Sequence, residues 1–364
     1  MGTKLGLVGL PNAGKSTLFN ALTAAHAAVA PYPFTTTDPN IGVAQVADPR
    51  LAALAACLAP GKIIPTTIEF VDIAGLVKGA HQGEGLGNQF LSNIFGVDAI
   101  IHVVRCFEDD NVAHSMGSVD PVRDADIITT ELMLKDLEII SRRREKEHKL
   151  IKSGDKKAAQ LAARLNTWQA ALSAGTPIRD AGLAPEDQPR AFGVDLLTAK
   201  PVVYAANVSE SSLGDGAAAL APLQAKAQRD GARLVAFCAK LEAELTELDP
   251  ADRQAMMQEL GMKDSALPQV IQAGFGLLQL ITFFTTASNM LQAWTVTNGT
   301  KAPRAAGTIH TDFEQKFIRA EVVPANTLIQ CGSEANARAK GLLRVEGKEY
   351  VVQDGDVMHF RIGQ

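Results

Sequence analysis

Gly9-Leu10-Pro11-Asn12-Ala13-Gly14-Lys15-Ser16-Thr17 is the segment from which the fold of this chain is inferred. It fits the pattern G-x-x-x-x-G-K-[ST], in which a glycine-rich loop wraps around phosphate groups. The apolar residues 5–8 before it predict a buried strand, and residues 16–22 after it predict a helix. A chance match in a glycine-rich turn is the alternative. The strand–loop–helix context and the motifs further along the chain argue against it.

Each position of this loop has a predicted role. Backbone N–H groups and the N-terminus of the following helix would surround phosphate oxygens. Lys15 would reach the β- and γ-phosphates, and the Ser16 hydroxyl would ligate Mg²⁺. Gly9 and Gly14 would allow the tight turn. The residues predicted to bind the nucleotide here are Asn12, Ala13, Gly14, Lys15, Ser16 and Thr17.

Length and composition set outer limits. The 364 residues predict two or three domains, and 46% hydrophobic residues are ample for their cores. A net charge of −5 argues against a protein that coats nucleic acid, but leaves a local basic patch open. Four scattered cysteines favour a reducing cytosol over disulfides or a zinc site. We expect no signal peptide and no membrane span, and therefore a cytoplasmic protein.

A loop rich in proline and threonine follows the first predicted helix, at residues 30–40. In proteins with this phosphate-binding loop, a threonine in such a segment can complete the coordination of Mg²⁺ and sense the γ-phosphate. Thr35, Thr36 and Thr37 are all candidates by composition. An ordinary proline-rich turn is the alternative.

A second metal element is predicted where an acidic residue ends an apolar strand. Residues 67–72 predict that strand, Asp72 would hold Mg²⁺, and the N–H of Gly75 would meet the γ-phosphate. The glycine-rich residues 75–87 predict a segment ordered by the γ-phosphate. Leu76 occupies the position where Ras-type enzymes have a water-orienting glutamine, so another group must act if hydrolysis occurs. The polar candidates are His81, Gln82 and His114.

A helical region is predicted from Asp124 to about Ala174, with a break at residues 152–155. Apolar residues at coiled-coil spacing predict an antiparallel hairpin. They are Leu161, Leu165, Trp168 and Leu172 on one helix, and Ile128, Leu132, Leu137 and Ile140 on the other.

The tip of this predicted hairpin is strongly basic. A solvated helix face is one reading, and a surface that contacts RNA phosphates is the other. The basic residues are Arg142, Arg143, Arg144, Lys146, Lys149, Lys152, Lys156 and Lys157.

A candidate base-recognition segment follows the buried strand predicted before residue 207. GTPases read guanine with N-K-x-D, whose aspartate accepts two hydrogen bonds from the base. Here the order is Asn207, Val208, Ser209 and Glu210, so the lysine is absent and the acid is one methylene longer. Because discrimination depends on leaving a buried carboxylate unpaired with the wrong base, shifting that carboxylate admits adenine. We therefore expect ATP to be preferred over GTP.

The residues from about Leu280 onward predict a small α+β domain. A tight turn is predicted at residues 354–356. Short β segments are predicted at 295–297, 309–310, 317–318 and 350–352.

Taken together, these motifs resemble the Obg-like ATPase family, in its YchF group of translation-factor-class P-loop proteins. The resemblance covers essentially the whole chain. The motifs that carry it are Gly-Leu-Pro-Asn-Ala-Gly-Lys-Ser-Thr at 9–17, Tyr-Pro-Phe-Thr-Thr at 32–36, Asp-Ile-Ala-Gly-Leu-Val-Lys-Gly-Ala at 72–80, Gly-Glu-Gly-Leu-Gly-Asn-Gln-Phe at 83–90, Asn-Val-Ser-Glu at 207–210 and Asp-Gly-Asp-Val-Met at 354–358.

The resemblance implies an α/β fold: a P-loop NTPase domain with an inserted antiparallel helical coiled coil and a C-terminal β-grasp (TGS) domain. The nucleotide domain would comprise residues 1–127 and 199–279, and the hairpin residues 128–198. The TGS domain would comprise residues 280–364. A stabilising appendage is the alternative reading of this last domain.

The resemblance also implies a function: slow ATP hydrolysis that depends on Mg²⁺, weaker use of GTP, and association with the ribosome. The hairpin tip and the TGS domain would contact the large subunit and its rRNA. The resemblance selects Thr36 as the magnesium ligand, Val208 as a base-pocket residue and His114 as the catalytic histidine, beside Lys15 and Gly75. K⁺ is a second candidate cofactor through Asn12. We expect a monomer.

Two other functions are alternatives to this expectation. A pure binding module would use nucleotide state only to gate RNA docking, with incidental turnover. A phosphotransferase would need an acceptor site and an arginine-rich lid, and the sequence shows no such lid. The elements at 72–75 and 207–210 also argue against a phosphotransferase.

Overall fold

The computed structural model describes residues 3–27, 41–73, 93–151, 155–213, 217–287 and 289–363. The chain divides into two compact units, one of Met1–Ala44 with Glu69–Leu277 and one of Gln45–Ile68 with Leu278–Gln364. Several sequence predictions lie outside the described residues: those for Thr35, Thr36, Thr37, Gly75, Leu76, His81, Gln82 and Lys152.

The strands of the described residues fall largely where apolar runs predict them. Those at Thr67–Asp72 and Ala99–Arg105 match the predicted bounds. In chain order they are β1 (Lys4–Val8), β2 (Ile41–Gln45), β3 (Lys62–Ile64), β4 (Thr67–Asp72), β5 (Ala99–Arg105), β6 (Val202–Asn207), β7 (Arg233–Phe237), β8 (Leu280–Ala287), β9 (Met290–Thr297), β10 (Phe317–Pro324), β11 (Arg344–Glu346) and β12 (Asp356–Ile362).

The helices begin at recognisable caps in several places. Asp48, Asp155 and Asp249 each accept a hydrogen bond from the first turn of the helix that follows them. In chain order the helices are α1 (Lys15–Ala27), α2 (Pro49–Leu58), α3 (Pro121–Ile151), α4 (Lys156–Ser173), α5 (Ala217–Arg229), α6 (Ala239–Glu247), α7 (Pro250–Glu259), α8 (Leu267–Leu277), α9 (Ala302–Ile309), α10 (Thr311–Gln315), α11 (Ala325–Cys331) and α12 (Glu334–Ala339).

The sheet of the first unit positions the loop that the sequence predicts to bind phosphate. Its order is β2-β4-β1-β5-β6-β7, and the pairs from β4 to β7 are parallel. The carboxyl ends of β1, β4, β5 and β6 therefore lie at one edge of the sheet, where ligands bind in open α/β folds. Gly9, Asp72, Arg105 and Asn207 lie at or directly after those ends.

Helix α3 has two packing roles, which corrects part of the hairpin prediction. Ile128 and Leu132 are buried with Val8, Val97 and Ile100 in the core beneath the sheet, and do not face the second helix of the hairpin. Helical periodicity marks an apolar face but not its partner, so the sequence assigned both residues to the wrong neighbour.

The hairpin core is made by the later part of α3. Ile140 and Leu137 pack with the predicted seam of α4, which is buried. Because α3 runs unbroken from residue 121 to residue 151, the expected domain boundary at 127/128 falls within a continuous helix. The seam residues of α4 in this cluster are Leu161, Leu165, Trp168 and Leu172.

The second unit contains a six-stranded mixed sheet in the order β11-β10-β12-β8-β9-β3. On one face of this sheet, Leu51 and Leu54 of α2 pack with Phe284, Leu291 and Leu328. On the other, three alanines of α9 pack with strand residues. Residues 45–68, expected in the nucleotide domain, thus share a core with the C-terminal segment.

Two short β segments predicted in the C-terminal part are wrong. Ile309 is the last residue of α9, because Pro303 opens the helix and Ala305 and Ala306 bury its apolar face. His310 caps the next helix by accepting a hydrogen bond from the Asp312 amide. In the segment at 350–352, Val351 forms only an isolated bridge with Lys301.

Among the helices of the described residues, none combines the length and the apolarity that crossing a bilayer requires.

Candidate functional site

The loop between β1 and α1 has the backbone that a phosphate cradle needs. Asn12 and Gly14 have positive φ values of 61° and 98°. A Cβ on Gly14 would lie 2.3 Å from Nδ2 of Asn207, and a Cβ on Gly9 would lie 2.3 Å from the Val103 carbonyl oxygen. Because close backbone approach excludes a side chain, both predicted glycines are required by the geometry.

Lys15, the first residue of α1, is buried inside this loop. Its Nζ donates a hydrogen bond of 2.9 Å to the Leu10 carbonyl oxygen. Burial lowers the pKa of this amine to about 8, and the negative charge of Asp72 opposes that shift only in part. A phosphate group bound here would supply further negative charge and favour the charged amine.

Ser16 and Asp72, the two predicted magnesium ligands that the structure describes, are in contact. The Ser16 hydroxyl donates to Oδ2 of Asp72 at 2.7 Å. The other carboxylate oxygen, Oδ1, is buried without a hydrogen-bond partner among the described residues. An unsatisfied buried acceptor is costly, and a hydrated Mg²⁺ would satisfy it. This donor pair therefore fits the predicted ion.

Asn207 connects the phosphate loop to the other side of the site. Its Nδ2 donates to the Ala13 carbonyl oxygen at 3.0 Å, and its Oδ1 accepts from the Ala239 amide at 2.9 Å. Both contacts are buried. The side chain thus joins the loop to the start of α6 across the sheet edge.

The remaining residues of the predicted base segment lie beside the same opening. Val208 is buried, whereas Glu210 is exposed at the start of a short 3₁₀ helix, Glu210–Ser212. The Ser209 hydroxyl lies 2.8 Å from that of Ser212. The Glu210 carboxylate is therefore open to a base.

A cleft of about 780 Å³ joins these two regions. It is lined by Asn12 and Gly14 to Thr17 at the phosphate end and by residues 207–210 at the other. This volume lies within the range of small-molecule sites. The structure thus brings together most of the sequence-predicted nucleotide-binding residues, although they come from distant parts of the chain.

Other cleft residues were missed by the sequence analysis. They follow the carboxyl ends of β5 and β7, and that position could have indicated them. Carboxylates are frequent among them, so this part of the cleft offers many hydrogen-bond acceptors. The missed residues are Phe107, Glu108, Asp109, Val112, Cys238, Ala239, Lys240, Ala243, Glu244 and Glu247.

His114, the predicted catalytic residue, does not line this cleft. Its Nε2 lies 2.8 Å from Oδ2 of Asp124, and its Nδ1 accepts a hydrogen bond from the Met116 amide. Only 8% of the side chain is exposed. In this arrangement the ring has no free nitrogen with which to accept a proton from water.

Asn12, the predicted K⁺ ligand, contacts the loop that carries this histidine. Its Nδ2 donates to the Ala113 carbonyl oxygen at 2.9 Å. The phosphate loop and the residue next to His114 are therefore linked by one side chain.

The basic part of the hairpin is partly neutralised by its own acids. Arg142 pairs with Glu138, and Arg143 pairs with Glu147 at 2.9 Å. A groove of about 750 Å³ lies on one side, where acid is scarcer. It is lined by Ser141, Arg144, Glu145, His148, Lys149, Ile151, Ala162 and Asn166.

Comparisons with known proteins agree with the motifs. Residues 4–148 match a family model described as "50S ribosome-binding GTPase", and residues 280–363 match the YchF-GTPase_C model, described as a protein of unknown function. A protein of Bacillus subtilis (strain 168) named "Ribosome-binding ATPase YchF" is 47% identical over 363 residues, or 99% of each chain. Its namesake in Escherichia coli O157:H7 is 47% identical over 360 residues, again 99% of each chain.

A solved structure, titled "Structure of the Schizosaccharomyces pombe YchF GTPase", has a TM-score of 0.87 and 35% sequence identity. The match covers 99% of this chain and 97% of the yeast chain. The yeast title names a GTPase, whereas the bacterial names give an ATPase. The resemblance drawn from the motifs is confirmed, and the chain belongs to the YchF family.

Proposed function

We propose that this protein binds and hydrolyses a nucleoside triphosphate in the cleft described above, with ATP preferred, and that it acts on the ribosome. The observation that carries the proposal is the Ser16–Asp72 pair beside Lys15, with one buried carboxylate oxygen left unsatisfied. That arrangement has no evident structural use, but it suits a metal ion bound to a triphosphate.

Mg²⁺ is the metal that these donors would hold. Mg²⁺ is usually bound by one or two carboxylates together with substrate phosphates rather than by a cage of protein ligands. Among the described residues, no cluster of three His, Cys, Asp or Glu side chains competes as a metal site. Ser16, Asp72 and Thr36 are the proposed ligands, and the ion would neutralise charge on the phosphates. Asn12 is the proposed ligand for K⁺.

The preference for ATP is supported by the base segment. Both polar atoms of the Asn207 side chain form buried hydrogen bonds, to Ala13 and Ala239, which favours a role in fixing the site over one in reading the base. Glu210 is exposed, and no lysine follows Asn207 to cover a guanine ring. A site without a fixed bidentate carboxylate loses most of its selection for guanine. GTP should therefore bind more weakly, but measurably.

Ribosome binding is supported by the names of the relatives and by the distribution of charge. The protein is acidic overall, with a net charge of −5, yet the hairpin groove offers Arg144, His148 and Lys149 against one acid, Glu145. Basic side chains on one face are typical of contacts with RNA phosphates. We propose that this hairpin and the C-terminal segment, as a TGS domain, contact the large subunit, and that the protein is a cytoplasmic monomer.

Hydrolysis is proposed to be slow without a partner. Lys15 and the Gly75 amide would stabilise charge on the γ-phosphate, and His114 would act on the attacking water after a change of position. Related switch proteins turn over at about 10⁻⁴–10⁻² s⁻¹ when no partner stimulates them. We expect the same range here, with an increase on the ribosome.

The binding part of the proposal is tested by calorimetric titration of the purified protein with Mg-ATP and with Mg-GTP. We expect tighter binding of ATP, and loss of both in a Lys15→Ala variant. A matched control is Lys240→Ala, which changes an exposed lysine of the same cleft and should weaken binding far less. GTP binding as tight as ATP binding would contradict the base assignment.

The turnover part is tested by phosphate release with and without ribosomes. A second candidate function, a nucleotide-gated ribosome-binding module with incidental turnover, is favoured by the position of His114 outside the cleft. If ribosomes do not raise the rate, but binding to ribosomes changes with the nucleotide, the second candidate is correct. If ribosomes do not raise the rate and the unaltered protein binds ribosomes equally with and without nucleotide, both candidates are contradicted.

A further inference from the structure

The segment between β5 and α3, residues 106–120, carries His114 and is fastened at several points. At its start, the buried guanidinium of Arg105 donates to the carbonyl oxygens of Phe107, Asp109 and Val112. These bonds fix the first half of the segment through its backbone. The half that contains His114 is held differently, through side chains.

Asp124 is the centre of that second attachment. It lies in the first turn of α3 and is buried. One of its oxygens, Oδ2, faces Nε2 of His114 at 2.8 Å. The other, Oδ1, accepts from Nε and Nη2 of Arg123 at 3.0 and 2.8 Å. Arg123 in turn donates to the hydroxyl and the carbonyl oxygen of Ser118, which closes the attachment on the same segment.

The protonation of the ring follows from its two contacts. The Met116 amide can only donate, so Nδ1 of His114 accepts at 3.1 Å and carries no proton. The proton therefore lies on Nε2 and is donated to Asp124. A neutral ring with its lone pair already occupied cannot act as a general base. Hydrolysis through His114 requires that both contacts open.

The His114–Asp124 pair lies against residues of the phosphate loop. A cavity of about 10 Å³ is enclosed by His114, Asp124, Pro11, Ala13 and neighbouring residues. It is separate from the nucleotide cleft, whose lining includes neither His114 nor Asp124. Asn12, which lines the cleft, donates a hydrogen bond to the carbonyl oxygen of Ala113, the residue before His114.

We propose that Asp124, oriented by Arg123, is a latch that holds His114 withdrawn and limits the basal rate, and that Asn12 couples this latch to the phosphate loop. The inference rests on the proposed function, in which His114 takes part in hydrolysis. The latch is a positioning device, because Asp124 touches His114 and not the nucleotide. Its release in the full complex would be the step that raises turnover.

The test compares the basal phosphate release of Asp124→Asn with that of Asp126→Asn. Asparagine keeps the shape of the side chain but removes the charge that both His114 and Arg123 contact. The Asp126→Asn variant removes the same charge two residues away, where Asp126 pairs with Lys226. Weakening one charge-assisted hydrogen bond should increase the fraction of molecules in which His114 is released from Asp124. The basal rate should rise with that fraction, about tenfold. Asp126→Asn should leave the rate unchanged.

Two further measurements separate the latch from a structural effect. Amide hydrogen exchange in residues 107–118 should become faster in Asp124→Asn, while the affinity for Mg-ATP stays the same. The double variant Asp124→Asn/His114→Ala should lose the gain in rate. If Asp124→Asn does not fold, as judged by circular dichroism, Asp124→Ser is measured in its place, with the same expectation.

The outcomes distinguish the latch from the function on which it rests. A rate that rises in Asp124→Asn and falls again in the double variant supports the latch. If His114→Ala lowers the rate but Asp124→Asn does not raise it, the latch is overturned and the catalytic role of His114 survives. If His114→Ala keeps the full rate, both the latch and the catalytic assignment of His114 are overturned.

Discussion

The phosphate loop and the His114 segment are neighbours in space but differ in how they are built. In and around the phosphate loop, four side chains already lie within hydrogen-bonding distance of their partners: Lys15, Ser16, Asp72 and Asn207. In the His114 segment, the imidazole ring that is proposed to act on water faces Asp124 instead. The half of the site proposed to bind phosphates, the binding half, is thus formed in advance, whereas the half proposed to act on water, the hydrolytic half, is not.

Under the proposed function, affinity and turnover are controlled by separate contacts. A preformed loop can bind a triphosphate with little rearrangement, because its donors and its glycine backbone are already placed. A histidine held outside the cleft could act in hydrolysis only after a conformational change. Variants in the first region should therefore change affinity, and variants in the second should change rate.

The largest effect is expected for Gly14→Ala. The new Cβ would meet Nδ2 of Asn207 at 2.3 Å in a backbone with φ of 98°, so the loop must shift. We expect ATP binding to weaken about 100-fold, since strain and overpacking each cost about 1–3 kcal/mol. Titration calorimetry gives the dissociation constant.

The matched control for this variant is Gly175→Ala. Gly175 has a positive φ of 78°, but a Cβ there would meet nothing within 4 Å. The control therefore carries backbone strain without the clash, and it should bind ATP normally. Equal loss of affinity in both variants would mean that the clash with Asn207 is irrelevant.

Asn207→Ala should have the next largest effect, on stability as well as binding. It removes two buried hydrogen bonds and leaves the Ala239 amide and the Ala13 carbonyl without partners. We expect the free energy of unfolding to fall by about 2–4 kcal/mol, measured by urea denaturation. Ser209→Ala, which alters a hydroxyl beside it, is the control and should stay within about 0.5 kcal/mol. No difference between the two would show that Asn207 does not hold the loop in solution.

The pH dependence of ATP affinity should be intermediate in size. In the free protein burial lowers the pKa of Lys15 to about 8, whereas bound phosphates stabilise the charged amine. Above pH 8, binding must therefore take up a proton, and affinity falls as pH rises. Between pH 7 and pH 9 we expect a loss of about tenfold.

Titration calorimetry in two buffers of different ionisation enthalpy measures that proton uptake directly. Lys240→Gln should keep the same pH profile, because its lysine is exposed. An affinity that is flat from pH 7 to pH 9 would show that Lys15 stays charged in the free loop.

The smallest effect on affinity is expected for Asn12→Gly. Glycine accepts the φ of 61° at this position and removes only the side chain that holds Ala113. ATP affinity should change by less than about threefold, since backbone amides provide most of the phosphate contacts. Exchange of the amides at residues 109–116 should become faster. A large loss of affinity with unchanged exchange would break the separation between binding and turnover.

The binding half could be predicted from the sequence because its determinants are local. The glycine spacing at 9–17 and the acid at the end of β4 are each read within a few residues. The sheet then brings them together by the ordinary geometry of parallel strands. Lys15, Ser16, Asp72 and Asn207 are accordingly found in one site.

The hydrolytic half could not be predicted, because it depends on which conformation a side chain adopts. No spacing rule reveals that His114 pairs with Asp124, ten residues along the chain. Packing partners were missed for a similar reason. The pattern of Ile128 and Leu132 shows an apolar face, but a helix that changes neighbours along its length looks uniform in sequence.

The pairing of α2 with the C-terminal sheet has a consequence for fragments of this protein. A chain cut after residue 277 would keep Leu51 and Leu54 but lose Phe284 and Leu328, which cover them. Such a fragment would expose both leucine side chains to solvent, and we expect it to aggregate. Since the Val46 amide donates to the Thr66 carbonyl oxygen at 2.9 Å, the two ends of the segment 46–66, which contains α2, are adjacent. A short engineered turn that joins these two ends would remove α2 with its exposed leucines. We expect this change to give a soluble nucleotide-binding fragment.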